Sequence, residues 1–214
     1  MKTNDAPSNR EPGSPAQERA WGSFGSASGL WSSLTEEQYR AWDVAAKQEN
    51  RRRHLPRGHR INGQNLFTEI NSHQAFFGLP PYLFPPERPT FSPDPLGPLV
   101  TGDGRDGLRL MLHVPEAPSC HVLVFAARPC SPGRRYCDKL HYIGLLPAPA
   151  GGWSEITTLY RRKHGVPPSR SRVIIATQQQ QDGWRDRLKR LDVIVPAVQG
   201  PPTRPERRQT TSMA

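Results

Sequence analysis

Arg51, Arg52 and Arg53 stand in one run with His54, and Arg57, His59 and Arg60 extend it. Guanidinium groups concentrated in this way could meet the phosphates of a nucleic acid, because Arg presents a planar fork of donors that matches phosphate oxygens. A basic run is also what the solvated C-terminal end of a helix carries, where cations face the negative end of the helix dipole. The run therefore has two readings: phosphate binding by Arg51, Arg52, Arg53, Arg57 and Arg60, or a solvated helix end, which is the reading favoured here. On the second reading, alanine at the three consecutive positions leaves the fold intact.

Three other patterns fall short of chemistry. Gly102-x-Gly104-x-x-Gly107 matches the dinucleotide fingerprint in letters, but that mechanism needs a helix N-terminus behind the glycines to hold a pyrophosphate. Leu108, Leu110, Leu112 and Val114 alternate as in a strand, so the pattern reads as a glycine-rich turn between strands. The stretch Gly25 to Gly29 has the outline of a nucleophile elbow with Ala27 where the serine must stand. Cys130-x6-Cys137-x3-His141, with Cys120 and His121 nearby, offers soft ligands at a spacing unlike the usual structural zinc patterns. No serine or carboxylate partners the histidines at a telling spacing. The expectation is no enzyme, no cofactor and no metal.

Charge and composition set the context. The chain has 214 residues with 29 Lys and Arg against 19 Asp and Glu, a net charge of +10. Residues 1–90 carry 11 basic and 9 acidic groups, whereas residues 91–214 carry 18 and 10, so the excess sits in the second half. Such a balance attracts polyanions without specifying a site. With 24 prolines, 18 glycines and 35% hydrophobic residues, part of the chain cannot bury a core. The odd cysteine count and the lack of a signal-peptide pattern read as a cytoplasmic, reduced protein. The apolar runs are of strand length, too short to cross a membrane.

The elements that must position these residues follow from periodicity. Residues 1–14 have almost nothing to bury and read as disordered, as does the basic tail over 198–214. A three-helix module is expected over 15–79. In it Ala20, Trp21, Phe24, Ala27, Trp31 and Leu34 recur at helical spacing, although Gly22, Gly25 and Gly29 weaken that first helix. Thr35 and Gln38 form a capping box, Leu34 and Tyr39 a hydrophobic staple, and Tyr39, Trp42 and Ala46 the buried stripe of the second helix. Asn62 caps a third, with Leu66, Phe67, Ile70, Gln74 and Phe77 on one side and Gly78 and Pro80 as its stop. Residues 80–98 hold eight prolines in nineteen positions and read as a semi-rigid linker. Over 99–197 the period falls to two, in short strands separated by turns, which implies a β-sandwich. The segment from Trp153 to Gly165 interrupts it as one short helix or turn. The fold class is thus α+β.

Two resemblances rest on these residues. Trp31-x-x-Leu34-Thr35-x-x-Gln38-x-x-x-Trp42-x-x-x-Ala46 resembles the last helix of the HMG box. The chain from about 20 to 195 is similar to an uncharacterised bacterial family that joins a Trp-x-x-Leu-Thr-x-x-Gln-x-x-Ala-Trp helical segment and a Gly-x-Asn-Leu-Phe-x-x-x-Asn helix to a C-terminal sandwich. Here those motifs are Trp31 to Trp42 and Gly63 to Asn71. The family resemblance implies a fibronectin-III-like or immunoglobulin-like sandwich and no established activity. The function expected is a non-enzymatic modular structural or protein-interaction protein with a protein partner. The alternative is an architectural nucleic-acid-binding protein that uses the Arg51 to Arg53 region.

Overall fold

The structure is a computed structural model that describes residues 25, 27–54, 56–92, 96–104, 107–137 and 139–197. The ends expected to be disordered, 1–14 and 198–214, and the start of the first helix, 15–24, lie outside the described residues. The protein is α+β, with helices N-terminal and antiparallel strands C-terminal. It divides into two compact units, one comprising Met1–Phe91 and Gln179–Asp186, the other Ser92–Gln178 and Arg187–Ala214.

In the first unit, residues 27–31 are helical and lead to α1 (Glu36–Arg52) and α2 (Gly63–Phe76). α1 begins where the capping box places it: the Gln38 amide donates to Thr35 Oγ1 at 3.3 Å, and the Thr35 amide donates to Gln38 Oε1 at 2.8 Å. Glu36 and Glu37 occupy its first turn and Arg51 and Arg52 its last, each favourable to the helix dipole. Trp42 and Ala46 are buried, as expected, and Tyr39 is half-buried, its hydroxyl donating to the Trp31 carbonyl at 2.8 Å. Asn62 caps α2 by accepting from the Asn65 amide at 2.7 Å. The helix closes in a Schellman turn, where Gly78 takes a φ of 69° and the Leu79 amide reaches the Gln74 carbonyl at 3.0 Å. Between the helices lies the 3-10 turn Arg57–His59. Leu34, Trp42, Ala46, Leu66, Phe67 and Ile70 form the core, and Trp184 joins them from far along the chain.

Within the segment read as a linker, Tyr82, Leu83, Pro86 and Arg88 are hydrogen-bonded to this unit. Asn71 pairs with Tyr82 as a strand neighbour would, accepting from its amide at 2.7 Å and donating to its carbonyl at 3.1 Å. The Trp42 indole donates to the Leu83 carbonyl at 2.9 Å and the Trp184 indole to the Pro86 carbonyl at 3.2 Å. Proline removes backbone donors but leaves acceptors, so a proline-rich strap is best held by side-chain donors, and the two indoles supply them.

The second unit contains β1 (Leu99–Gly104), β2 (Gly107–His113), β3 (His121–Ala126), β4 (His141–Leu145), β5 (Trp153–Glu155), helix α3 (Thr157–His164), most of β6 (Arg172–Gln181) and β8 (Lys189–Ile194). β7 (Trp184–Arg185) and the end of β6 form the hairpin that belongs to the first unit. One antiparallel sheet has the order β1-β2-β5; the other runs β4-β3-β6-β7, with β8 also paired to β6. Leu99, Leu110 and Leu112 from the first sheet share one apolar core with Val124, Ala126, Val173 and Ile175 from the second. The alternating positions Leu110, Leu112 and Val114 are buried, so the strand period was read correctly. The interruption after β5 is the helix α3, with Tyr160 buried and Gly165 as its stop at a φ of 75°. Among the described residues no helix is long and apolar enough to cross a membrane.

Candidate functional site

The arginine run surrounds a buried carboxylate. Glu49 lies on α1 three residues before Arg52 and four before Arg53, the two separations that place side chains side by side on a helix. It is only 3% exposed. Arg52 binds it as a fork, with Nε on Oε2 at 2.8 Å and an Nη on Oε1 at 2.7 Å. Arg53 adds Nε on Oε1 at 2.5 Å and reaches Glu69 on α2 at 3.4 Å. Arg88, from the proline strap, donates to both Glu49 oxygens at 3.1 and 3.2 Å. Its guanidinium also lies 4.8 Å from the Trp184 ring centre and 5.9 Å from that of Phe91.

Burial by itself raises the Glu49 pKa, but the hydrogen bonds from Arg52 and Arg53 and the charges of Arg88 and Arg53 outweigh it and hold the carboxyl at about 2. The hydrogen bond to Glu49 raises Arg52, whereas burial lowers Arg88 against the pull of the same carboxylate. Beside them opens a cleft of about 370 Å³, lined by Glu49, Arg52, Glu87 and Arg88 together with Pro86 and Trp184. Arg52, Arg53 and Arg88 thus meet Glu49, with Glu69 against Arg53 and Glu87 also lining the cleft, a set that gives a phosphate little net attraction.

The five arginines read from the sequence are therefore not equivalent. Arg52 and Arg53 are engaged by carboxylates, Arg51 and Arg60 are exposed, and Arg57 opens the 3-10 turn. The expectation that alanine at 51–53 leaves the fold intact changes accordingly. Arg52→Ala with Arg53→Ala is expected to lower the melting temperature clearly, because Glu49 stays buried with Arg88 as its remaining partner in this cluster. Arg51→Ala should stay within about 0.5 kcal/mol of wild type in a denaturant titration, the usual range for a surface change. Equal, small effects of both variants would refute the Glu49-centred arrangement. The i, i+3 and i, i+4 spacing around Glu49 was visible in the sequence; the contribution of Arg88 was not, since it arrives from 39 residues away.

The other patterns also have places. Gly104 pairs with Gly107 in the β1–β2 register, so the glycine motif lies in a hairpin and leads into a strand. Cys130, Cys137 and His141 line one cleft in the second unit, and Cys120 is not among its lining residues. Among the described residues no group of three or more His, Cys, Asp or Glu is arranged to hold a metal ion. No protein-family model, curated protein or solved structure matches the chain.

Proposed function

We propose that this is a non-enzymatic protein-interaction protein whose helical unit presents the proline strap to a protein partner. The observation that carries the reading is the arrangement of Leu83 and Phe84. The strap's carbonyls are held by Trp42 and Trp184, while Leu83 and Phe84 are 47% and 48% exposed. An extended, proline-restrained backbone that shows apolar side chains loses little entropy on binding, which is the physical basis of proline-rich recognition. Phe76 and Leu79, similarly exposed just upstream, add to the apolar surface. The second unit, with two antiparallel sheets around one core, is on this proposal a sandwich of the fibronectin-III-like kind that the family resemblance implies. Fold alone does not assign a role, so the proposal rests on the strap.

Leu83→Glu with Phe84→Glu tests it. The backbone carbonyl rather than the side chain of Leu83 is bonded, so the melting temperature should change little. A partner cross-linked to the wild-type chain in cells should be lost from the variant. Retention of every cross-linked partner would count against the strap. Strong duplex DNA binding with a steep salt dependence, weakened by Arg51→Ala and Arg60→Ala, would favour the nucleic-acid alternative instead.

A further inference from the structure

The loop between β3 and β4 forms a second cleft whose residues the proposed function does not use. It has a volume of about 510 Å³, within the range of small-molecule sites, and is lined by Arg128, Cys130, Arg134, Cys137, Lys139 and His141, with Pro129. Arg128, Arg134 and Lys139 are cations, and no carboxylate is among the described lining residues. The cleft lies in the half of the chain that carries most of the basic excess.

The loop is built to hold this shape. Cys130 forms an isolated bridge to Arg172 at the start of β6, with backbone hydrogen bonds of 3.0 and 2.8 Å in the two directions. The Arg172 guanidinium donates twice to the Pro132 carbonyl, at 2.9 and 2.7 Å. A turn follows, closed by the Arg134 amide on the Ser131 carbonyl at 3.0 Å, and Arg134 Nε donates to the Tyr136 carbonyl at 3.0 Å. On the far wall His141 opens β4, and its ring lies 5.9 Å from that of His164 on α3. A loop fixed at so many points spends little ordering entropy when a ligand binds. The His164 imidazole reports the local field. It is lowered first by burial, and the charges of His141, Lys163 and Arg128 lower it further, against a hydrogen bond to the Ala126 carbonyl.

We propose that this cleft is a binding site for a small phosphate-bearing anion, with Arg128 and Arg134 supplying forked donors and Lys139 a mobile point charge. Cations gathered in a concavity raise the local concentration of anions, and the charge-assisted bonds Arg and Lys make to phosphate are among the strongest available to a side chain. The volume suits a phosphate ester or diphosphate rather than a protein surface.

The test uses the full chain and inorganic pyrophosphate, and the three cysteines provide the readout. Cys130 and Cys137 line the cleft and Cys120 does not, and all three thiols are half-buried. Pyrophosphate is expected to slow iodoacetamide labelling of Cys130 and Cys137 saturably, leaving Cys120 unchanged, when each site is followed by mass spectrometry. Calorimetry should give one site per chain. Arg128→Ala with Lys139→Ala should weaken that binding at least about tenfold, the equivalent of losing one charge-assisted hydrogen bond. Arg51→Ala with Arg60→Ala removes the same charge elsewhere and should not. If the Arg128/Lys139 variant melts early, amide chemical-shift changes on pyrophosphate addition to wild type must still map to 128–141. Absence of protection, equal protection of all three thiols, equal weakening by both double variants, or binding of an oligonucleotide but not pyrophosphate would overturn the site.

Discussion

Glu49→Ala is expected to destabilise the helical unit by about 3 kcal/mol, the lower end of the range for breaking a buried ion pair from one side. The lower end applies because Arg52, Arg53 and Arg88 keep side-chain exposures of 47, 31 and 22%, and so can recover some hydration once the carboxylate is gone. What they lose is the anion that lets three guanidinium groups converge on one point. Glu49→Gln retains size and acceptor but not charge, and should fall between wild type and alanine. Denaturant unfolding followed by tryptophan fluorescence measures this, since Trp42 and Trp184 are buried in the same unit. A loss below about 1 kcal/mol would place the cluster with ordinary surface pairs.

The same carboxylate shapes the acid limb of the stability curve. Its pKa is depressed from 4.5 to about 2, so its contribution is complete above pH 4.5 and is lost as pH falls through that window towards 2. His73, whose Nδ1 donates to the Gly183 carbonyl at 2.6 Å, is lowered by burial and then by Arg185, from 6.5 to about 4. Kept neutral in the fold, it contributes stability that is complete above pH 6.5 and is lost as pH falls towards 4. Wild-type stability should therefore decline in two overlapping stages below pH 6.5. Glu49→Ala should flatten the lower stage and leave the upper one, and a uniform downward shift of the whole curve would contradict the assignment.

Local signals in the sequence were legible because their causes are local. Thr35, Gln38 and Asn62 cap their helices through partners three residues away, and Leu110, Leu112 and Val114 alternate because a strand does. β5 and β7 were not legible as strands, having three and two residues, too few to show a period, and the glycines read as a turn are in part the paired end of β1 and start of β2. For the arginines, residue type and a helix dipole explained the charge, but the partner that consumes it is a buried glutamate, and sequence does not announce burial. Proline content marked 80–98 as extended, yet whether an extended segment lies free or bound depends on distant indoles.

Trp184→Ala is expected to cost about 3 to 5 kcal/mol, the usual range for emptying a buried Trp site. Trp184 is 5% exposed and packs in the core of Leu34, Trp42, Leu66, Phe67 and Ile70, although it lies more than a hundred residues beyond them. Its removal also frees the Pro86 carbonyl and takes the aromatic face from Arg88. The hairpin tip is shaped for this position. Gly183 has a φ of 79°, and a Cβ there would stand 2.5 Å from Ile70 Cγ2 and 2.7 Å from the Ile70 carbonyl oxygen, so only glycine lets the turn close on α2. A division of the chain at the proline segment would separate the helices from residues 179–186, which the compact units keep together. A fragment spanning 25–91 is therefore expected to be helical but only marginally stable, with a broad melt and weak amide protection in α1 and α2. Trp184→Ala in the full chain should reduce protection in those same two helices. A fragment that melts as sharply and as late as the helices of the full chain would show that Trp184 adds little, and that the proline segment is the true boundary.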